Sequence, residues 1–394
     1  MRRIRLTTAG ESHGPGLTAI LQGLPAGLAV DTDFIQRELA RRQHGFGRGR
    51  RMQIEKDQVE IRGGVRGGST LGSPIGLWIP NRDYENWRGV MDPGEIDAVK
   101  SEQRRLRSPR PGHADLAGGL KYLRRDLRDV LERASARESV ARVAAGAFAK
   151  LLLAEFHIEI RSGVRSLGPI GMERPTPTWE EILTVDDASP LRAVHHDLED
   201  QMVALVEQMK DAGDTLGGAV TIIAHGVPAG LGSHVHWDEK LDGRLTQAVM
   251  SVPAVKAVEI GSALAAASGP GSQAHDPIER DDKGKWRRPT NRAGGLEGGV
   301  TNGADVVVTA YKKPISTLRQ GMQSVDLDTL EPRLSQYERS DVTALPAAGV
   351  IAETMVALVL ADALLEKVGG DSMTEVRAHF EATLAQQRAW PERA

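Results

Sequence analysis

Two histidines stand in turns of small residues, where a side chain can clear the backbone. They are His13 in Gly10-Glu11-Ser12-His13-Gly14-Pro15 and His113 in Arg110-Pro111-Gly112-His113-Ala114-Asp115. Imidazole delivers or accepts a proton near neutral pH, so both are candidates for acid–base work. Asp341, after Arg339 and Ser340, is the matching carboxylate candidate. An arginine beside it favours the ionised form. Arginine itself is concentrated in three places: five within residues 41–51 with no acidic residue among them, then Arg104, Arg105, Arg107 and Arg110, then Arg133, Arg137 and Arg142. A chain with a net charge of −3 that clusters guanidinium this way is built to hold an anion, because guanidinium pairs bidentately with phosphate and carboxylate.

The class of anion follows from what surrounds the arginines. Single-stranded nucleic acid wants aromatic stacking platforms, yet the first cluster holds only Phe46 and the third holds none. With no cysteine in the chain, the usual zinc-finger spacing is excluded, as are disulfides and thiol chemistry. Gly45-Phe46-Gly47-Arg48-Gly49-Arg50 follows a helix rather than a strand and lacks a Gly-Lys-Ser/Thr ending, so it is a poor phosphate loop. His234 and His236 have no evident third ligand, and no metal is expected. A compact, polyanionic small molecule fits best.

These residues need a scaffold. Apolar residues at Val140, Val143, Ala144, Ala147, Phe148, Leu151 and Leu152 form one stripe of a long helix. Ser135 as N-cap and Glu138 three residues later predict a capping box at its start. Free backbone N–H groups at such a terminus attract anions. Strands are predicted over residues 2–9, 17–22, 57–62 and 75–79, with a helix from Asp31/Thr32 and a short one near 115–126.

The pattern then recurs. Gly226-Val227-Pro228-Ala229-Gly230-Leu231 repeats Gly23-Leu24-Pro25-Ala26-Gly27-Leu28, at an offset of 203 residues. Gly294–Thr301 repeats Gly63–Thr70 at 231, and Ala347–Ala352 repeats Ala144–Ala149 at 203 again. Three matches in one order predict two related halves, about 1–165 and 215–368, in a single unit with a peripheral helical tail over 369–394. The offsets imply an insertion of 28 residues in each half, one at Gly269–Arg292 and one between Gly68 and Glu132. The fold class expected is α+β, a layered β-α-β sandwich with long helices packed between antiparallel sheets. By the duplication, the Asp341 turn is the counterpart of the Ser135 turn, so two equivalent helix starts should meet at one site. The basic N-terminus is followed by no long apolar segment, and no stretch reaches about 18 uncharged apolar residues, so neither a signal peptide nor a membrane helix is expected.

Together these motifs resemble the chorismate synthase family. Gly10–Pro15, Glu132–Glu138 with Arg142-Val143, and Arg339–Ala344 running on to Ala352-Glu353-Thr354 match its three signatures, and Arg110–Asp115 and Lys313–Thr317 match further motifs. The stretches near 81–108 and 269–290 are similar to those of the longer bacterial form. The resemblance implies a lyase of the shikimate pathway, which turns 5-enolpyruvylshikimate 3-phosphate into chorismate by anti 1,4-elimination of phosphate, with reduced FMN as cofactor. It implies His13, His113 and Asp341 as catalytic. Flavin contacts are implied at Arg133, Ala134, Ser135, Pro253, Ala254, Gly298, Lys313, Pro314, Ile315, Ser316, Thr317 and Arg339. Substrate or NADP contacts are implied at Ser12, Arg42, Arg48, Arg110 and Arg137. It further implies a cytoplasmic homotetramer that binds neither nucleic acid nor membrane. With no extra reductase domain recognisable, reduced flavin is expected from an external flavin reductase. The competing expectation is a non-catalytic binder of phosphorylated metabolites or RNA.

Overall fold

The computed structural model describes residues 3–47, 57–282, 286–338 and 341–390. The implied contacts at Arg48 and Arg339 lie outside the described residues.

Eight strands form two four-stranded antiparallel sheets. The first contains β1 (Arg5–Ala9), β2 (Gly16–Gln22), β3 (Glu60–Gly63) and β4 (Ile75–Pro80) in the order β1-β2-β4-β3. The second contains β5 (Glu159–Leu167), β6 (Gly218–His225), β7 (Val255–Ile260) and β8 (Val306–Lys312) in the order β5-β6-β8-β7. The helices used below are α1 (Thr32–Gln43), α2 (Asp115–Tyr122), α3 (Arg128–Ala134), α4 (Ser139–Ala154), α5 (Leu241–Met250), α6 (Leu345–Val368) and α7 (Met373–Ala389). α4 packs on β2 and β4, α6 packs on β5 and β6, and the two helices pack on each other. Both sheets therefore bury one face on a shared helical layer, giving the expected α+β sandwich.

α6 is apolar all round, as a helix enclosed on every side must be, and every residue from Leu345 to Leu365 is buried. Among the described residues it is the one helix long and apolar enough to cross a membrane, and its apolar stretch is buried inside the fold.

The two sheets share one topology, and their hydrogen bonds repeat. Thr70 Oγ1 accepts from the Leu28 amide at 3.0 Å and donates to the Pro25 carbonyl at 2.6 Å. Thr301 Oγ1 accepts from the Leu231 amide at 2.8 Å and donates to the Pro228 carbonyl at 2.7 Å. Lys150 and Glu353, 203 residues apart on α4 and α6, bond to each other at 2.5 Å. α1 fixes the direction of both helices. Its Glu38 meets Lys150 while Arg42 meets Ser139, and its Arg41 meets Glu353 while Gly45 lies against Pro346. α1 thus runs antiparallel to α4 and to α6, so α4 and α6 start at the same end of the molecule.

β5 pairs with β6 along its length, so the second sheet begins at Glu159. Residues 168–217 are an excursion between those strands, where β1 and β2 are joined by a short loop. The extra segments fall after β4, where residues 81–138 precede α4, and after β7, before the hairpin of Leu296–Glu297 and Val300–Thr301. α7 docks by Met373, Val376 and Phe380, the last packed on Phe156.

Candidate active site

The chain reaches the start of α4 through α3, a break at Ser135, and one 3-10 turn over Ala136–Glu138. The expected capping box does not form. Ser135 Oγ accepts from the Arg137 amide, but Glu138 pairs instead with Arg142, at 3.0 Å. The 3-10 turn comes first, and α4 proper begins at Ser139, whose hydroxyl donates to the Ala136 carbonyl at 2.5 Å. Ser135 Oγ also donates to Ser12 Oγ at 3.1 Å. Arg133 is occupied elsewhere. Its guanidinium donates to the Gly10 and Thr8 carbonyls at 3.0 Å and to Thr8 Oγ1 at 2.7 Å.

His13 is brought to this turn by Glu132, the last-turn residue of α3. His13 Nδ1 lies 2.8 and 2.9 Å from the two carboxylate oxygens, and its own amide donates to Glu132 Oε2 at 2.8 Å. The Ser12 amide donates to the Glu132 carbonyl at 2.9 Å. Arg128 Nη1 sits 3.1 Å from the same carboxylate, and its Nη2 sits 2.9 Å from Glu338. Burial pushes the Glu132 carboxyl up, but the His13 bonds and the Arg128 charge outweigh it and hold the group below the usual range. Glu338 opens the segment that leads to Asp341, itself half-buried just before α6, where the Val342 amide bonds the Gly47 carbonyl.

His113 is built in the same way. Its Nδ1 lies 2.5 Å from Oδ1 of Asp115, the first residue of α2. Arg110 grips that carboxylate through Nε at 2.8 Å and Nη2 at 3.0 Å, and donates to Thr317 Oγ1 at 2.9 Å. Burial opposes ionisation of Asp115, yet His113 and Arg110 hold its carboxyl well below the usual range. Lys313 Nζ closes the loop from the other half, donating to the Gly112 carbonyl at 2.6 Å and to Ser316 Oγ at 2.8 Å. Burial, then the charge of Lys256, pulls the Lys313 ammonium below its ordinary value. Gly112 has φ +78°, and a Cβ there would press on Lys313 and Ser316. Ile315 accepts from Thr215 Oγ1 at 2.8 Å.

A third cluster joins the start of α4. Asp57 is shared by Arg42 and Arg137 at 3.4 and 3.3 Å, and Arg42 also donates to Ser139 Oγ and the Ala136 carbonyl. Pro253 and Ala254 follow α5, whose end is held to α4 by an Arg142–Ser251 bond of 2.8 Å. The Ala254 carbonyl accepts from the Lys313 amide at 3.0 Å. The structure therefore gathers Ser12, His13, Arg42, Arg110, His113, Ser135, Arg137, Ala254 and the Lys313–Thr317 stretch around the end where α4 and α6 start. Gly298 stands apart. Its neighbour Gly299 bonds the first residue of α5, so Gly298 lies about 15 Å from Pro253, the length of a ten-residue helix. The Arg41 of the first arginine cluster is also elsewhere, buried on Glu353.

Sequence reasoning missed Glu132, Asp115, Asp57, Trp87 and Arg128. Asp115 and Glu132 lay inside motifs already singled out, and a carboxylate two residues from a histidine was the available signal. His234 and His236 are exposed, and no group of three possible metal ligands occurs among the described residues.

A family model described as chorismate synthase matches residues 4–365. The chain belongs to the chorismate synthase family. It is 51% identical over 394 residues to a chorismate synthase of Geobacter sulfurreducens, covering 98% of this chain and 100% of that one. With the Moorella thermoacetica chorismate synthase the identity is 53% over 380 residues, covering 96% and 98%. A crystal structure of chorismate synthase superposes with a TM-score of 0.78 at 41% identity, covering 98% of each chain. The chain is thus a lyase of the shikimate pathway that forms chorismate from 5-enolpyruvylshikimate 3-phosphate. The reading as a mere binder of phosphorylated metabolites or RNA is not favoured by any of these likenesses.

Proposed function

We propose that chorismate synthase chemistry runs at the shared start of α4 and α6, with His13, His113 and Asp341 as its proton-handling groups. The observation that carries this is the pair of histidines, each held at Nδ1 by a buried carboxylate that is itself held by an arginine. That arrangement fixes the orientation of each ring, and Arg110 Nη2 also lies 2.9 and 3.4 Å from Nδ1 and Nε2 of His113.

Reduced FMN fits the groups gathered here. Ser135, Ser316 and Thr317 offer hydroxyls and Lys313 a cation, while Gly112 and the left-handed Ala254 (φ +68°) allow close approach of a flat or phosphorylated molecule. Arg133, Ala134, Ser135, Pro253, Ala254, Lys313, Pro314, Ile315, Ser316, Thr317 and Arg339 are assigned to it, and Gly298, at the far end of α5, is not. When bound, it lends electron density to the substrate with no net redox change. Arg42, Arg48, Arg110 and Arg137, with Ser12, hold the phosphate and carboxylates of the substrate or an NADP phosphate. Fixed positive charge stabilises the phosphate as the C–O bond breaks and the electron pair leaves with oxygen. His113 then donates its Nε2 proton to that oxygen, Asp115 steadying the resulting ring. His13 holds a proton beside the cofactor site, and Asp341 supplies the carboxylate for the proton lost from the substrate.

The same reading takes the working form as a cytoplasmic homotetramer supplied with reduced flavin by a separate reductase. Anaerobic assay with dithionite-reduced FMN should release phosphate and form chorismate, whereas NADPH with oxidised FMN should not. Failure of the first arm sinks the reading, and turnover in the second replaces the external reductase with a built-in activity.

A further inference from the structure

The excursion between β4 and α4 spans residues 81–138, against residues 313–344 at the matching place before α6. Its first act is to grip the His13 loop. The Asn81 amide bonds the Pro15 carbonyl at 3.0 Å, and Asn81 Nδ2 donates to the Ser12 and Gly14 carbonyls at 3.2 and 2.8 Å. Asn81 then caps the 3-10 turn Arg82–Trp87 by accepting from the Asp83 amide. That turn delivers Trp87, buried, against His13, with ring centroids 3.9 Å apart and planes 27° from parallel. Arg104 lies 4.2 Å from the indole centroid and Arg128 5.0 Å from it, while the indole N–H donates to Asp83 at 3.2 Å.

We propose that this excursion is a positioning device for His13, in which Trp87 is the face the imidazole lies on and Glu132 the clamp on its Nδ1. The stack stops rotation of the ring, and the carboxylate selects the tautomer with the proton on Nδ1. Nε2 is then presented in a fixed direction to the cofactor side of the site. Trp87 and Glu132 are positioning residues, since each acts through His13. Arg128 holds the Glu132 carboxylate in place and is itself held by Glu338, while Arg104 lies over the indole ring. This inference rests on the active-site reading above only for what Nε2 does, not for how the ring is held.

Its test is a long-range proton–nitrogen correlation spectrum of the flavin-free protein labelled with nitrogen-15 histidine, with the His13 signals assigned by their loss in His13→Asn. Wild-type His13 should show the Nδ1–H tautomer at neutral pH. Glu132→Gln should mix the tautomers. Trp87→Leu should average the ring signals, and Trp87→Phe should restore them. In turnover, Glu132→Gln and Trp87→Leu should each lose kcat by about 10- to 100-fold, by analogy with the loss when the hydrogen-bond partner of a metal-bound histidine is removed, with KM for substrate little changed. An unaltered tautomer and unaltered ring signals in both folded variants overturn the proposal, as does a Trp87→Phe protein no better than Trp87→Leu. Loss of the tautomer preference in a protein whose wild type makes no chorismate would uphold the clamp and sink the active-site reading instead.

Discussion

Arg41 and Arg42 are neighbours on α1 and enter different chemistry. Arg41 joins a closed ion cluster in the middle of the helix layer. It meets Glu353 at 2.7 and 3.0 Å, Glu38 at 2.8 Å and Asp187 at 2.8 Å, and Lys150, Ser162 and Arg192 complete the shell of Glu353. Three cations and three carboxylates there answer one another at short range. Arg42 meets Asp57 at 3.4 Å, and Arg137 approaches the same carboxylate at 3.3 Å. These contacts are longer than any that Arg41 makes, so a bound anion competes with Asp57 without the breaking of a short ion pair to it. The cluster of short contacts in the helix layer serves the fold, while the looser one at the start of α4 is suited to a substrate. Arginine density along the sequence does not separate the two cases. The length of the ion-pair contacts does.

The sharpest way to test that contrast is on the open side. His113→Ala should lower kcat by roughly 10²- to 10⁴-fold, the span general acid catalysis supplies, with thermal stability unchanged and flavin binding retained. Steady-state kinetics and a flavin titration on one preparation check both halves. A variant with near wild-type turnover would remove His113 from the mechanism.

Glu353→Gln should show the reverse pattern. Breaking a buried ion cluster by removing one member costs about 3–5 kcal/mol, because its partners stay buried and uncompensated. Urea unfolding should reveal that loss, while the protein that remains folded keeps kcat within about twofold. Lost turnover at unchanged stability would place the closed cluster in the chemistry and break the comparison.

How far each region could be read from the sequence follows the same line. Strands, α1 with its Asp31 cap and the stripe of α4 are periodic and local, so residue spacing carried them. The Asp31 carboxylate does accept from the Phe34 amide at 2.8 Å. The repeated Gly-Pro-Ala-Gly and Gly-Gly segments were legible because each serves a turn that both halves need. The different fate of Arg41 within the first arginine cluster was not legible, because its partner Glu353 stands 312 residues away. The capping box failed because Glu138 had a nearer cation in Arg142 on the next turn. His13 and His113 were visible as residues, and the spacing of two residues made Asp115 legible as a partner of His113, but Glu132 was not visible as the partner of His13, since pairing across 119 residues is set by the fold. Trp87 lay in a segment that carried no motif at all.

Acid should separate the regions more gently. Burial opposes ionisation of Glu353, Asp115, Glu132 and Asp187, yet neighbouring cations and hydrogen bonds hold all four below their ordinary values. A carboxyl depressed in the folded state contributes stability that is present above its unfolded value of about 4 and is lost as pH falls through the lower folded value. Wild-type stability should therefore be flat near pH 6–7 and decline below about pH 5. Glu353→Gln should show a shallower decline, because the most deeply buried contributor is gone. Urea melts at three pH values check this, and an equal slope in both proteins would deny Glu353 its share.

The smallest effect expected lies in the backbone. Ala254 has φ +68°, a conformation that costs a residue with a Cβ about 1 kcal/mol or more relative to glycine. It persists because the Ala254 carbonyl must accept from the Lys313 amide while the chain turns out of α5 into β7. Ala254→Gly removes the steric cost but makes the unfolded chain freer, so the net gain should be only about 0.5 kcal/mol. Stability should rise slightly, and flavin affinity should fall if the methyl packs on the cofactor. A drop in stability would mean that the methyl makes favourable contacts outweighing the strain, and Ala254 would then belong with the closed cluster as a residue serving the fold rather than the site.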